Sequence, residues 1–189
     1  PLCDEAYDAM QPYLRAAYGN PSSLHHLGKA AKHAVEMVRE QMAALLGARA
    51  AELVFNSGAT EGDNHAIKGV AWRYRDKGRH IVTTQIEHDA VLFPCRELEK
   101  EGFEVTYVAP GADGIVPVEA IAEALRPDTT LVSVMHANNE MGTIQPIAEI
   151  GALCRERGVL FHCDACQTVG HIPVNVRELN VDLLTFSGH

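Results

Sequence analysis

The sequence predicts an α/β fold, three layers deep, with helices on both faces of a mainly parallel mixed sheet. Two observations carry this. Short apolar runs with strand character alternate with longer segments of helical period from residue 53 onward. Each apolar run is also followed by a cluster of small and polar residues rather than by a two-residue hairpin turn, so crossovers and not hairpins join the strands.

The first 47 residues read as a helical segment, and residues 48–189 as the sheet-bearing domain. Ala6, Met10, Tyr13 and Leu14 at helical spacing predict a helix over 4–17. The turn cluster from Tyr18 to Ser23 has Pro21, Ser22 and Ser23 placed to start a second helix over 24–46. In that helix Val35, Val38, Met42 and Leu45 recur every three or four residues, and Gly47 is the stop. Beyond it the expected strands are 53–55, 80–84, 104–108, 130–135, 159–162 and 183–186, with helices over 64–75, 91–100, 118–125 and 147–157.

Composition narrows the function. The chain has 189 residues, 47% hydrophobic and 22% charged, enough for one domain with a real core. A formal charge of −9 argues against a nucleic-acid partner, which calls for clustered Lys and Arg. No apolar run reaches membrane-spanning length and no signal peptide opens the chain, which favours a cytoplasmic protein. Five cysteines, an odd number, fit reduced thiols.

The chemistry-bearing residues fall where strands end. In an open parallel sheet, ligands bind outside the carboxyl ends of the strands. Asp164 and Gln167 follow the strand that ends near His162, and Ser187, Gly188 and His189 follow the last strand. Ser57-Gly-Ala-Thr60 turns from a strand into a helix, where small residues and free N–H groups suit a phosphate, Thr60 adding a hydroxyl; Thr60 with Asp63 also fits a helix capping box. Glu87-His88-Asp89 offers an imidazole for stacking or proton transfer, or a helix start capped by Asp89. His136-Ala-Asn138-Asn139-Glu140 orients a ligand or forms a self-bonded turn.

A carboxylate at a buried strand end is costly without a partner. For Asp164 that partner is a protonated ring nitrogen, or else backbone donors. The rim therefore reads as a seat for a phosphorylated, nitrogen-containing ring. Cys163 and Cys166 form a CxxC pair, with His162 and His171 nearby. No second pair stands at zinc-ribbon spacing, and strand alternation sends Cys163 and Asp164 to opposite faces, so no metal site is expected.

Taken in order, G-N-P-S-S-L-H-H, S-G-A-T-E-G-D-N, I-E-H-D-A-V, H-A-N-N-E-M-G and H-C-D-A-C-Q-T-V-G followed by S-G-H resemble the large domain of NifS/IscS-type cysteine desulfurases, pyridoxal 5′-phosphate (PLP) enzymes of the aspartate aminotransferase-like fold. The resemblance implies that Ala59 and Thr60 hold the cofactor phosphate with Ser187 and His189. It implies that His88 stacks on the ring and serves as acid or base, that Asp164 pairs with the ring nitrogen, that Gln167 bonds the phenolic oxygen, and that Asn139 lies beside it. It places the Schiff-base lysine one position after His189 and the nucleophilic cysteine in a part absent here. It also implies L-cysteine as substrate, alanine and an enzyme persulfide as products, a homodimer, and an iron–sulfur scaffold or other sulfur acceptor as partner. A selenocysteine lyase, a non-catalytic half-domain and a CxxC thiol module are the alternatives.

Overall fold

The structure, a computed structural model, describes residues 2–188. They divide into two compact units, the first running through Val54 and the second spanning Phe55–Gly188. In the first unit, α1 (Asp4–Arg15) is followed by α2 (His26–Leu46) and a 3₁₀ turn at Ala50–Glu52. The start of α2 differs from expectation. Its cap is His25, whose Nδ1 accepts the Gly28 N–H at 3.3 Å, and not Pro21 or a serine. The strand expected at 53–55 does not form: Leu53, Val54 and Phe55 are irregular, with Val54 and Phe55 exposed. An apolar triplet makes a strand only where a neighbour supplies backbone partners and cover.

The second unit is the three-layer core. Its helices are α3 (Ala59–Tyr74), α4 (Asp89–Lys100), α5 (Val118–Ala124) and α6 (Ile147–Arg157). Its strands are β1 (His80–Thr84), β2 (Glu104–Val108), β3 (Thr129–Ser133), β4 (Leu160–Asp164) and β5 (Leu183–Thr185), in sheet order β2-β1-β3-β4-β5. Every pairing is parallel, so all five carboxyl ends share one edge.

Strand alternation sorts the two faces. Ile81, Val105, Leu131, Leu160 and Leu183 project to one side. There they pack with Ile67, Val70 and Ala71 of α3 and with Val91, Cys95 and Leu98 of α4. Each fully buried aliphatic chain there contributes about 1.5–3 kcal/mol. α6 lies against β4, with Ile147, Ile150 and Cys154 buried. Among the described residues no helix is long and apolar enough to cross a membrane.

Candidate active site

β4 ends on Asp164 itself, two residues later than the sequence predicted, because its ladder with β5 continues to the pair Asp164↔Thr185. The backbone around it is tied on both sides. The His136 N–H donates to the Asp164 carbonyl at 2.7 Å, and the Ala165 N–H to the Thr185 carbonyl at 2.7 Å. The Asp164 side chain is 6% exposed. Its Oδ1 accepts the Cys166 N–H at 3.0 Å. A buried carboxylate with one backbone donor still has capacity to receive a cationic N–H, so Asp164 fits a protonated ring nitrogen.

The start of α3 lies at the same edge. Glycine 62 sits so close to β5 that a Cβ there would come within 2.8 Å of Thr185 Cγ2. Gly58 is the residue before the helix, at φ 156°, with open space where a Cβ would stand. Helical bonding begins only with the Glu61 and Gly62 amides, which donate to the Gly58 carbonyl. The Ala59 and Thr60 amides precede that ladder and present donors with the positive end of the helix dipole. Glu61 folds back on Ser57, taking its N–H at 2.7 Å and its hydroxyl at 2.6 Å. Asp63 is therefore not half of a capping box with Thr60; it points inward and is fully buried. This free-amide start suits an anion, and it fits a cofactor phosphate.

His88, and not Asp89, caps α4: its Nδ1 accepts the Ala90 N–H at 3.1 Å. That bond fixes the ring and, in the neutral imidazole, puts the hydrogen on Nε2, which presents it as a donor from an exposed side chain. The turn after β3 is built by Asn138, which is buried. Its Oδ1 accepts the Glu140 and Met141 N–H groups, and its Nδ2 donates to the Ile86 carbonyl at 2.9 Å. The self-bonding amide is thus Asn138, and its neighbour Asn139 is left exposed. Thr168 pins the turn after β4 through His136 Nδ1 (3.0 Å) and the Ala165 carbonyl (3.2 Å), with Gln167 exposed beside it. Ser187 is half-buried just past β5. Ala59, Thr60, His88, Asn139, Asp164, Gln167 and Ser187 all lie along the carboxyl edge, while His189 lies outside the described residues.

The CxxC pair has a different character. Burial and nearby acids push the thiol of the wholly buried Cys163 well up, and burial, then Asp164, does the same for Cys166. Neither thiol is activated, since reactivity belongs to the thiolate. All five cysteines are free, and among the described residues no group of three or more His, Cys, Asp or Glu is placed to hold a metal ion. Three buried groups were not read as parts of the site from sequence: Asp63, Glu87 and His162.

A parallel αβα sheet with an acid at a strand end and a free-amide helix start on the same edge suits a phosphate-bearing, nitrogen-containing cofactor. The comparisons agree: the sequence model of the aminotransferase class-V family matches residues 1–189, and the chain belongs to that family. It is similar to the cysteine desulfurase IscS of Dictyoglomus turgidum, 53% identical over 189 residues, covering all of this chain and 48% of that protein. The cysteine desulfurase IscS of Methanosarcina thermophila is 51% identical, with all of this chain and 47% of that protein covered. Among solved structures, SspA in complex with cysteine matches with a TM-score of 0.96 at 40% identity, over all of this chain and 55% of that one. DndA from Streptomyces lividans matches at 0.89 and 43%, over 98% of this chain and 52% of that one. The chain spans about half the length of the curated relatives it matches.

Proposed function

We propose that this chain is the cofactor-binding half of a PLP-dependent cysteine desulfurase, which takes sulfur from L-cysteine, leaves L-alanine and carries the sulfur as an enzyme persulfide. The observation that carries this reading is the pairing of buried Asp164 with the free-amide start of α3 on one sheet edge. The cysteine desulfurase names of the relatives support the choice of reaction within the family.

In this reading residues 48–189 form the PLP-binding large domain and residues 1–47 a helical segment. Ala59 and Thr60 receive the phosphate, with Ser187 and His189 completing the cradle. Asp164 holds the ring nitrogen in its protonated form, Gln167 bonds the phenolic oxygen, and Asn139 borders it and the substrate carboxylate. His88 lies flat on the ring and serves as acid or base, its Nδ1 giving up the Ala90 N–H when the imidazole takes a proton. PLP supplies an electron sink for the charge left when the substrate loses its α-proton. The fixed charge of Asp164 keeps that sink effective, and the edge residues exclude water from it.

A homodimer fits the apolar side chains Tyr7, Met10, Tyr13 and Leu14, all exposed on an α1 with no buried residue. An iron–sulfur scaffold or another acceptor protein would take the sulfur, in keeping with the relatives' IscS names. Free thiols throughout fit a cytoplasmic setting. The test is to supply the full-length protein with PLP, L-cysteine and a thiol reductant, which releases the persulfide sulfur as sulfide, and to quantify alanine and sulfide. Alanine in step with sulfide supports the reading. Release from selenocysteine alone would replace it with a selenocysteine lyase.

A further inference from the structure

Directly behind Asp164, under α3, lies a group of ionisable side chains that binding the ring does not require. Asp63 is fully buried and neither carboxyl oxygen has a hydrogen-bond partner. His162 Nε2 lies 3.5 Å from its Oδ1. His162 projects from the same face of β4 as Asp164, two residues away, and is itself fully buried. Its two nitrogens are held by Ser133 Oγ at 2.8 Å and Thr185 Oγ1 at 3.0 Å. Thr185's hydroxyl lies near enough to Asp63 to favour its charged form somewhat, but its hydrogen bond is with His162. Glu87 stands on the other side: its Oε1 accepts the Thr84 hydroxyl at 2.7 Å and the Met135 N–H at 2.9 Å, and its Oε2 has no partner.

An unpaired buried carboxylate is among the costliest groups a core can hold, and the inexpensive answer is to keep the proton. Burial first, then the charge of Asp164, pushes Asp63 up to about 7. Burial also pushes Glu87 up to about 8, with Asp164 and Asp63 adding to the rise against the bonds from Met135 and Thr84. Burial lowers His162 to about 4, so no cation stands among these acids. A neutral acid that makes no hydrogen bond does nothing for packing that an apolar residue would not do better. Its proton is the feature that needs a use.

We propose that Asp63 is a positioning residue for Asp164: beside the neutral His162, and with Glu87, it forms a buried proton store that discharges when a positively charged ring nitrogen settles against Asp164. The inference rests on the reading of the rim as a PLP site. Neutralising Asp164 removes a repulsion that helps keep Asp63 and Glu87 protonated. The O–H bond of Asp63 then breaks, the proton leaves to bulk water, and a second negative charge remains behind Asp164. By linkage, that charge strengthens the hold on the ring nitrogen by the same factor.

The test is infrared difference spectroscopy on the cofactor-free full-length protein, recording the C=O stretch of un-ionised carboxyls as ligand is added. Two probes are used, PLP and 1-deazapyridoxal 5′-phosphate, in which carbon replaces the ring nitrogen. PLP is expected to cause a loss of that band, and the deaza compound no loss. In Asp63→Asn the loss caused by PLP shrinks. Equal band changes with both probes overturn the inference while leaving the proposed function intact. An undiminished loss in Asp63→Asn overturns the assignment to Asp63. Failure of PLP to bind overturns both readings together, and PLP binding with no loss of the band overturns the inference alone. The wild-type comparison decides even if the variant does not fold.

Discussion

A single carboxylate, Asp164, illustrates how position sets chemistry. At a strand terminus in a dry layer its charge persists only with donors, and Cys166 provides one. Replacing Asp164 by Ala in the full-length enzyme should leave circular dichroism largely unchanged and weaken PLP retention. Cysteine turnover should fall by on the order of 10²–10³-fold, the scale of losing one preorganised electrostatic group; near-normal turnover would contradict its role. Asp63 carries a second expectation. Its folded-state pKa lies above the ordinary 3.8, so the folded protein binds more protons than the unfolded one between about pH 4 and 7. Stability from this group is therefore present at low pH and is lost as pH rises through that window. Glu87 adds the same sign up to about 8, whereas neutral His162 works the other way, losing stability as pH falls below 6.5. In cofactor-free protein, the difference in Tm between Asp63→Asn and wild type should accordingly grow in the variant's favour from pH 5 to pH 8. At this scale the rim residues were legible because polar side chains after apolar runs stand out. Asp63 was not, since Thr60-x-x-Asp63 also satisfies a capping pattern. Its real signal was periodicity: Asp63, Ile67, Val70 and Ala71 share one helical stripe, and an acid on an apolar stripe is the anomaly to follow.

Helices and strands obey different tolerances. α3 meets β5 through Gly62, where an added Cβ would press the methyl of Thr185, a side chain with some freedom to give. α6 meets the loop before β5 through Gly151, where an added Cβ would lie 2.2 Å from the Leu179 carbonyl oxygen, fixed backbone. Overpacking costs about 1–3 kcal/mol and more where nothing moves. Gly151→Ala should therefore cost more in urea denaturation than Gly62→Ala, while Gly62→Ala should weaken PLP retention more, because it shifts the amides at the start of α3. A reversed ranking in either measurement would refute this account of the contacts. Elements with long clean periods, such as α6 over 147–157, were legible to the residue. Boundaries set by partners were not: the triplet 53–55 joins no strand ladder among the described residues, and β4 runs on to Asp164 because β5 continues beside it.

The second unit is a parallel sheet whose polar edge draws on the turns after β1, β3, β4 and β5 and on the start of α3. Burial divides its thiols: Cys95, Cys154 and Cys163 are enclosed and their thiols raised by desolvation, while Cys3 is exposed. Brief alkylation of the native protein, read by peptide mass spectrometry, should modify Cys3 and spare those three. Rapid labelling of Cys163 would contradict the packing of β4. The parallel order also has a consequence for synthesis. Asp63 leaves the ribosome about 120 positions ahead of Leu183, where β5 begins. At roughly 5–20 residues per second the gap lasts on the order of ten seconds. Throughout that interval the nascent helix displays a hydrated carboxylate on what will become an inner surface. That charge discourages premature docking and sticking to other chains until the last strand arrives to enclose it.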